Sequence, residues 1–581
     1  MKKKLILLIA AALVLSLFAG CRTDGPEPGT TPTGGGGVTE PPEEEMYNFA
    51  NGKYQVNEQG FPTAPYDYEL PISTTDEVLS FWTVVWSPQH LPEEGYGSMD
   101  FPEGERELTG VNIEYVVVPF ESRAENYSIL LNSDDLCDIM TQATAYHPGT
   151  YEDAIEDGFW VNLYDYIEYM PNYIYQATFD PDDELTYETV FYDDDMIVAF
   201  YSMLNEALIG SNYLARGDWL ADMGKTNDDI VTWDDLHEML VGFKANVETC
   251  QFPFPLLNTL DMGGLYAFTS FDTLPYVDPF NIGPVYIIDG KVQHSHITER
   301  DREFITMINS WYNEGLIDPG WSNYSNNTNY TDKTVTGQVG YIYGSPGEVP
   351  SLEAAITNDG DASFVPIKKP LKEPGQTIHL GGEVARISYG SSTISATCEN
   401  IPLAVTWCDW RYSPAGSFYA SWGPEGILWE KDENGNPIAT EWALSNPNGL
   451  AYAWACMLYA INSLAEHGME DGSRKYAFDG GERLEAIHYY WADYKYDGAY
   501  SWPVGINFTA EQTDEINSYA SDIVTYISEN YLAFVDNSKP LSEWDDYVAG
   551  ISALKLDRVL EIYQEAYDAY MAEKNEEAPE V

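Results

Sequence analysis

Groups able to do acid–base or nucleophilic chemistry are plentiful in this chain but unordered. With 94 Asp and Glu, a carboxylate pair of the kind that cleaves glycosidic bonds could be drawn many times, and no spacing selects one. His-Glu-x-x-His, Gly-x-Ser-x-Gly and phosphate-loop patterns do not stand out. The eight His are scattered. His294 and His296, two apart, would share one face of a strand and read as surface residues. Cys137, Cys250, Cys398, Cys408 and Cys456 form no Cys-x-x-Cys pair, which speaks against a zinc or redox centre. They read as buried thiols, with a Cys398–Cys408 bridge left open. The sequence therefore offers no catalytic residues, no metal ligands and no cofactor. It is rich instead in flat rings, with 44 Tyr and 16 Trp. Such rings fill cores, and they also stack on the C–H faces of sugars. Position picks the candidate ligand-binding residues. Trp82 and Trp86 lie at the end of the first apparent strand. Tyr146 follows the third, Asp138-Ile139-Met140-Thr141. Tyr343 follows Gly340-Tyr341-Ile342, and Trp422 precedes Gly423-Pro424-Glu425-Gly426. For each, the alternative is a core aromatic.

One further cysteine has a chemistry of its own. Lys2, Lys3 and Lys4 precede an apolar run from Leu5 to Ala19, too short and wrongly flanked to span a bilayer, which reads as a secretory signal. It ends in Leu17-Phe18-Ala19-Gly20-Cys21. Small residues directly before a Cys resemble the bacterial lipobox, which implies cleavage after Gly20 and acylation of Cys21. Two acyl chains make a stable anchor where one would not. Residues 1–20 are then a signal peptide and residues 21–68 a lipidated tether, rich in Gly, Pro, Thr and Glu over its first half.

The elements that must position the rings come next. The net charge of −66 excludes binding to nucleic acid or anionic membrane through bulk electrostatics, and 44% hydrophobic residues suffice for a large core. Val78 to Trp86 and Val111 to Val118 are nearly unbroken apolar runs, as in strands covered on both faces. Thr232 with Asp235 predicts a capped helix with Leu236, Met239, Leu240 and Phe243 on one face. Thr298 with Asp301 predicts another, with Phe304, Ile308, Trp311 and Tyr312 inward, Gly315 at its C-cap and Pro319 beyond. Val559, Leu560, Tyr563, Tyr567 and Tyr570 mark the last helix. Ser322 to Thr334 reads as a solvated loop, and Trp429 to Trp442 as a hairpin with a primed turn at Asn434-Gly435. Strands alternating with helices predict an α/β fold.

Several segments together resemble the extracellular solute-binding proteins of ABC importers, in the large lipoprotein branch associated with oligosaccharides. They are Leu214-Ala215-Arg216-Gly217-Asp218-Trp219-Leu220 through Gly224, Thr232-Trp233-Asp234-Asp235-Leu236, Trp311 to Pro319, Gly337-Gln338-Val339-Gly340-Tyr341, Gly423 to Trp429, and Leu541 to Val548. The resemblance covers about residues 75 to 570. It implies a two-lobed, type II periplasmic-binding-protein-like α/β fold with a hinge and an interlobe cleft. The implied lobes are roughly 69–198 with 390–460, and 199–389 with 461–575. It also implies a monomer that captures an oligosaccharide without altering it and delivers it to permease subunits, at the outer face of a Gram-positive-type cell membrane rather than in a periplasm. A secreted glycan-active hydrolase or lyase, and a ligand sensor without transport, are the alternatives. One departure stands out. Many members carry an Asp/Asn/Gly-rich, calcium-binding-like loop after the helix that opens with Thr-Trp-Asp-Glu. Here Phe243 to Gln251 lacks the carboxylates a hard cation needs.

Overall fold

A computed structural model describes residues 46–577, apart from 134–135, 194, 262–266, 280, 357–360, 382–384, 447–448, 451, 504–505 and 507. The signal and acylation readings at residues 1–21 lie outside the described residues. In chain order the strands are β1 (Val78–Val85), β2 (Asn112–Pro119), β3 (Ile139–Thr141), β4 (Phe200–Leu204), β5 (Asn212–Arg216), β6 (Val285–Ile288), β7 (Lys291–His294), β8 (Tyr341–Gly344), β9 (Phe364–Pro366), β10 (Ile387–Ile394), β11 (Trp429–Lys431), β12 (Pro437–Ala439) and β13 (Gly468–Glu470). The helices that matter below are α1 (Arg123–Asn132), α2 (Trp233–Asn246), α3 (Glu299–Asn313), α4 (Ile401–Trp410), α5 (Pro414–Trp422), α6 (Tyr452–Tyr459), α7 (Gly481–Ala492) and α8 (Leu556–Glu577).

The first sheet has the order β13-β4-β10-β3-β1-β2. β1 runs parallel to β2 and β3, β4 runs parallel to β13, and β10 is antiparallel to both β3 and β4. Five carboxyl ends and the amino end of β10 therefore meet along one edge. The apolar run of β1 is explained by burial, since Phe81, Trp82, Thr83 and Val84 are all inside. β2 departs from the sequence reading: it is an edge strand, with Val116 exposed. The second sheet, β8-β5-β9, is antiparallel throughout. Its core joins Leu214 of β5 to Leu236 and Leu240 of α2, Phe304 and Ile308 of α3, and Val559 of α8. A separate core under the first sheet joins Phe81, Ile139, Phe200 and Ile394 to Leu403 and Trp407 of α4. The chain passes between the two regions from β4 to β5, from β9 to β10, and from β13 to α7.

Local signals explain the helices. The Thr232/Asp235 and Thr298/Asp301 capping boxes form as predicted, and Gly315 adopts φ +68° just past α3, where a side chain would be strained. Arg216 pairs with Asp218 and lies 4.4 Å over the Trp219 ring, which is buried packing. In the last turn of α2, Lys244 Nζ donates to the carbonyls of Glu314 (2.8 Å) and Gly315 (2.7 Å). The Lys244 ammonium thus caps the carboxyl end of α3, where the helix dipole favours a cation.

Four expectations are corrected. Residues 46–68, read as tether, are bonded to the body: Asn48 N–H donates to the Ile72 carbonyl, Tyr66 N–H to Asn172 Oδ1 and Tyr68 OH to Asp409 Oδ2. Residues 322–334 form short helices with Tyr330 and Thr334 buried. His294 and His296 are both fully buried, because the helices packed over β7 cover the face that an isolated hairpin would expose. The hairpin β11–β12 forms, but only Gly435 has positive φ (+87°). Asp432 closes a four-residue turn by accepting from Gly435 N–H, and its Oδ1 accepts from Asn434 and Asn436 N–H. A primed two-residue turn needs positive φ at both central residues. The five described cysteines are all buried thiols outside any disulfide, so no Cys398–Cys408 bridge exists.

One buried ionic network holds the first region together. Arg411 donates from Nε and Nη2 to the two carboxylate oxygens of Glu105 (both 2.8 Å) and from Nη1 to Glu466 (3.0 Å). Thr83 OH completes Glu466 at 2.7 Å. Arg411, Glu105 and Glu466 are all buried.

Candidate functional site

The shared edge of the first sheet is where side chains from different strands converge. It is also where open α/β sheets bind ligands. Trp86, the residue after β1, stacks on Phe120, the residue after β2, with centroids 3.4 Å apart. Arg123, opening α1, lies 3.4 Å over the other ring of that pair, Phe120, and 5.5 Å from the Tyr146 centroid. Its Nε donates to the Tyr146 hydroxyl. Tyr146 OH in turn donates to Gln142 Oε1 at 3.2 Å. Gln142, immediately after β3, is held at φ +51°, a conformation uncommon for a side-chain-bearing residue and concentrated at functional sites. Its amide donates to the Leu464 carbonyl at 2.7 Å. Trp454 of α6 approaches Trp86 at 6.0 Å and is 40% exposed. Tyr389, at the amino end of β10, is 57% exposed. Burial raises the Tyr146 hydroxyl above its usual pKa, and Arg123 and Tyr389 also act on it. The arrangement is a set of rings, two of them open to solvent, around one guanidinium and one strained amide residue. It offers stacking surfaces and hydrogen bonds. It contains no nucleophile paired with a base.

Further along the same edge, past β4 and β13, opens a cavity of about 700 Å³, within the size range of small-ligand sites. Trp422, Tyr476, Phe478, Asp471, Glu482 and Glu485 line it. Asp471 Oδ2 accepts from Trp422 Nε1 at 3.2 Å, and its Oδ1 from the Ser473 hydroxyl at 2.6 Å. Glu206, two residues past β4, accepts from Tyr489 OH of α7 at 2.7 Å.

The five rings chosen from sequence separate accordingly. Trp86 and Tyr146 come together in the cluster. Trp422 is only 3% exposed and packs in a core with Leu428 and Trp429, yet it forms part of the cavity wall. Trp82 is buried against Tyr127 and faces away from any surface. Its position three residues before the strand end puts it within the sheet's covered stretch. Tyr343 belongs to the second sheet, where it packs edge-on against Tyr213 at 5.6 Å. Phe120, Arg123, Gln142, Tyr389 and Trp454 escaped the sequence reading. Phe120 was within reach, since it follows the second apolar run as Trp86 follows the first. Tyr389 was not, because only the sheet topology shows that β10 runs backwards.

No family model matches the chain. It is 24% identical over 378 residues to a fructooligosaccharide ABC transporter substrate-binding protein of Streptococcus pneumoniae, a match spanning 62% of this chain and 65% of that one. An extracellular solute-binding protein from Bifidobacterium longum subsp. infantis superposes with TM-score 0.64 at 15% identity, covering 89% of this chain and 100% of the other. The crystallised Streptococcus pneumoniae protein in complex with kestose does so with TM-score 0.58 at 21% identity, covering 86% and 100%. The chain therefore has the two-lobed α/β fold of the extracellular solute-binding proteins.

Proposed function

We propose that this chain is the extracellular substrate-binding protein of an ABC importer, capturing an oligosaccharide at the edge of the first sheet and passing it unaltered to permease subunits. The observation that carries the reading is the convergence of Trp86, Phe120, Tyr146, Tyr389 and Trp454 on one strand edge, with rings left open to solvent. Stacking on C–H faces needs such rings, and cleavage chemistry would need groups that the cluster lacks. The similarity to sugar-binding proteins points the same way. We take the lobes to be the regions around the two cores, with the three chain crossings as the hinge.

The test is binding measured on Trp454→Ala and Trp86→Ala. Each should weaken glycan binding on the order of ten- to a hundredfold, the worth of roughly 1.5–3 kcal/mol of ring burial. The melting temperature of Trp454→Ala should stay close to wild type, because the ring is 40% exposed. Unchanged affinity in both variants, or cleaved glycan recovered from the complex, would remove the proposal.

The anchor is part of the same reading. Among the described residues no helix is long and apolar enough to cross a membrane, and acylation of Cys21 would tie the protein to the cell. Cys21→Ala should shift it from the membrane fraction to the medium; wild-type protein already recovered unacylated from a lipid-competent host would contradict the anchor.

A further inference from the structure

The two halves of the strand edge differ in charge. The ring half, at β1, β2, β3 and β10, carries Arg123. The cavity half, at β4 and β13, is lined by Asp471, Asp479, Glu482 and Glu485, with Glu206 beside it. The cations beside these residues in sequence are engaged elsewhere: Arg474 and Lys475 bind Glu470, and Arg483 binds Glu353. Among the described residues none of the five cavity carboxylates forms an ion pair. Asp471 and Glu206 are nevertheless fixed in place, by Trp422 Nε1 and the Ser473 hydroxyl and by the Tyr489 hydroxyl respectively. The Glu485 carboxyl is pushed above its usual range, first by burial and then by Glu206, Asp471 and Glu482. The cavity thus concentrates negative charge that no ion pair among the described residues neutralises. Trp422, Tyr476 and Phe478 supply its apolar wall.

We propose that this cavity admits glycan residues that are uncharged or carry a protonated amine, and rejects residues carrying a carboxylate or sulfate, with Glu206, Asp471, Glu482 and Glu485 setting the preference. Carboxylates can accept from sugar hydroxyls or an ammonium, whereas a bound anion would meet several like charges in a partly desolvated space. The inference rests on the oligosaccharide reading and deepens it. It also assigns the two ends of the edge different tasks: stacking at one, charge selection at the other.

The test is a glycan array presenting neutral, free-amine, carboxylated and sulfated glycans to the full chain at low and physiological salt. Wild type and Glu482→Gln/Glu485→Gln are compared. Glu482 is exposed and Glu485 half-buried, both lining the cavity rather than the core, and a melting curve of the variant checks that it is folded. Wild type should retain neutral or amine-bearing glycans only. The variant should narrow the ratio of amine-bearing to carboxylated binding on the order of tenfold, with the difference shrinking in salt. Tight binding of a carboxylated or sulfated glycan by wild type, or a ratio unchanged in the variant, would overturn the charge preference while leaving the oligosaccharide reading intact. No binding to any glycan would overturn the oligosaccharide reading and this inference with it.

Discussion

Arg411→Met should cost the first lobe about 3–5 kcal/mol, the range found when one partner of a buried ion pair is removed. Arg411 is the only cation bound to Glu105 and Glu466 among the described residues, and all three side chains are almost wholly out of water. Methionine would fill much of the volume but leave two carboxylates facing each other, with only Thr83 beside Glu466 and Tyr115 beside Glu105 among the hydrogen-bonding neighbours described. Burial already lifts the Glu105 carboxyl above its usual range, against the pull of Arg411. Without Arg411, one of the two would have to take up a proton for the fold to survive. Denaturant unfolding of Arg411→Met should therefore show a much earlier first transition, recovering as pH is lowered. Combining it with Glu105→Gln and Glu466→Gln should restore most of the loss, since an uncharged network needs no counter-ion. A loss below about 1 kcal/mol would mean that the network contributes little.

Acid should weaken the fold through its histidines, with His296 contributing a measurable share. His294, His296, His467 and His488 are buried, and burial lowers the pKa of each, that of His296 to about 4. Between that value and about 6.5, the unfolded chain takes up a proton that the folded chain refuses. The stability each contributes is complete above about pH 6.5 and is lost as the pH falls toward the folded value. For His296 this amounts to about 3 kcal/mol. Asp409 works the other way. Burial raises its pKa to about 6 against its hydrogen bonds from Tyr173, Tyr68 and Asn172, so its contribution is lost as pH rises from about 4 to 6. Protonating the acidic surface also relieves repulsion, so absolute stability is a blurred readout. The comparison of wild type with His296→Asn is sharper, because Asn tolerates the φ of +77° at this position. Unfolding midpoints at pH 7 and pH 5 should show the gap between the two proteins narrowing in acid. Parallel pH curves would sink the assignment.

How much of this could be read without coordinates depended on the range of the interactions involved. Capping boxes at Thr232 and Thr298 are local, as are the apolar face of α2 and the glycine past α3, and all are found where their spacing places them. Trp86 was legible because a strand end can be located from one apolar run. Tyr389 and Trp454 were not, since their convergence on Trp86 depends on an antiparallel strand inserted between β3 and β4 and on a helix more than 360 residues from β1 in sequence. The burial of Trp82 and the His294–His296 pair had the same cause. Alternation says which residues share a face, but only packing decides whether that face is covered. The Arg411 network was invisible for a related reason: Glu105 lies 306 residues and Glu466 55 residues from Arg411, and in a chain with 94 acids no two announce themselves.

The buried thiols described above give the protein a set of internal clocks. Cys250 belongs to the core of the second sheet, Cys398 and Cys408 to that of the first, and Cys456 to the core around Trp422. Burial pushes the Cys250 and Cys398 thiols up to about 12, so neither is a reactive thiolate while its region stays closed. An alkylating reagent in the surrounding medium is therefore excluded until a region opens, and the position of the mark it leaves records which one did. Brief openings of each lobe are written separately into the covalent chemistry of one chain, with no reporter introduced.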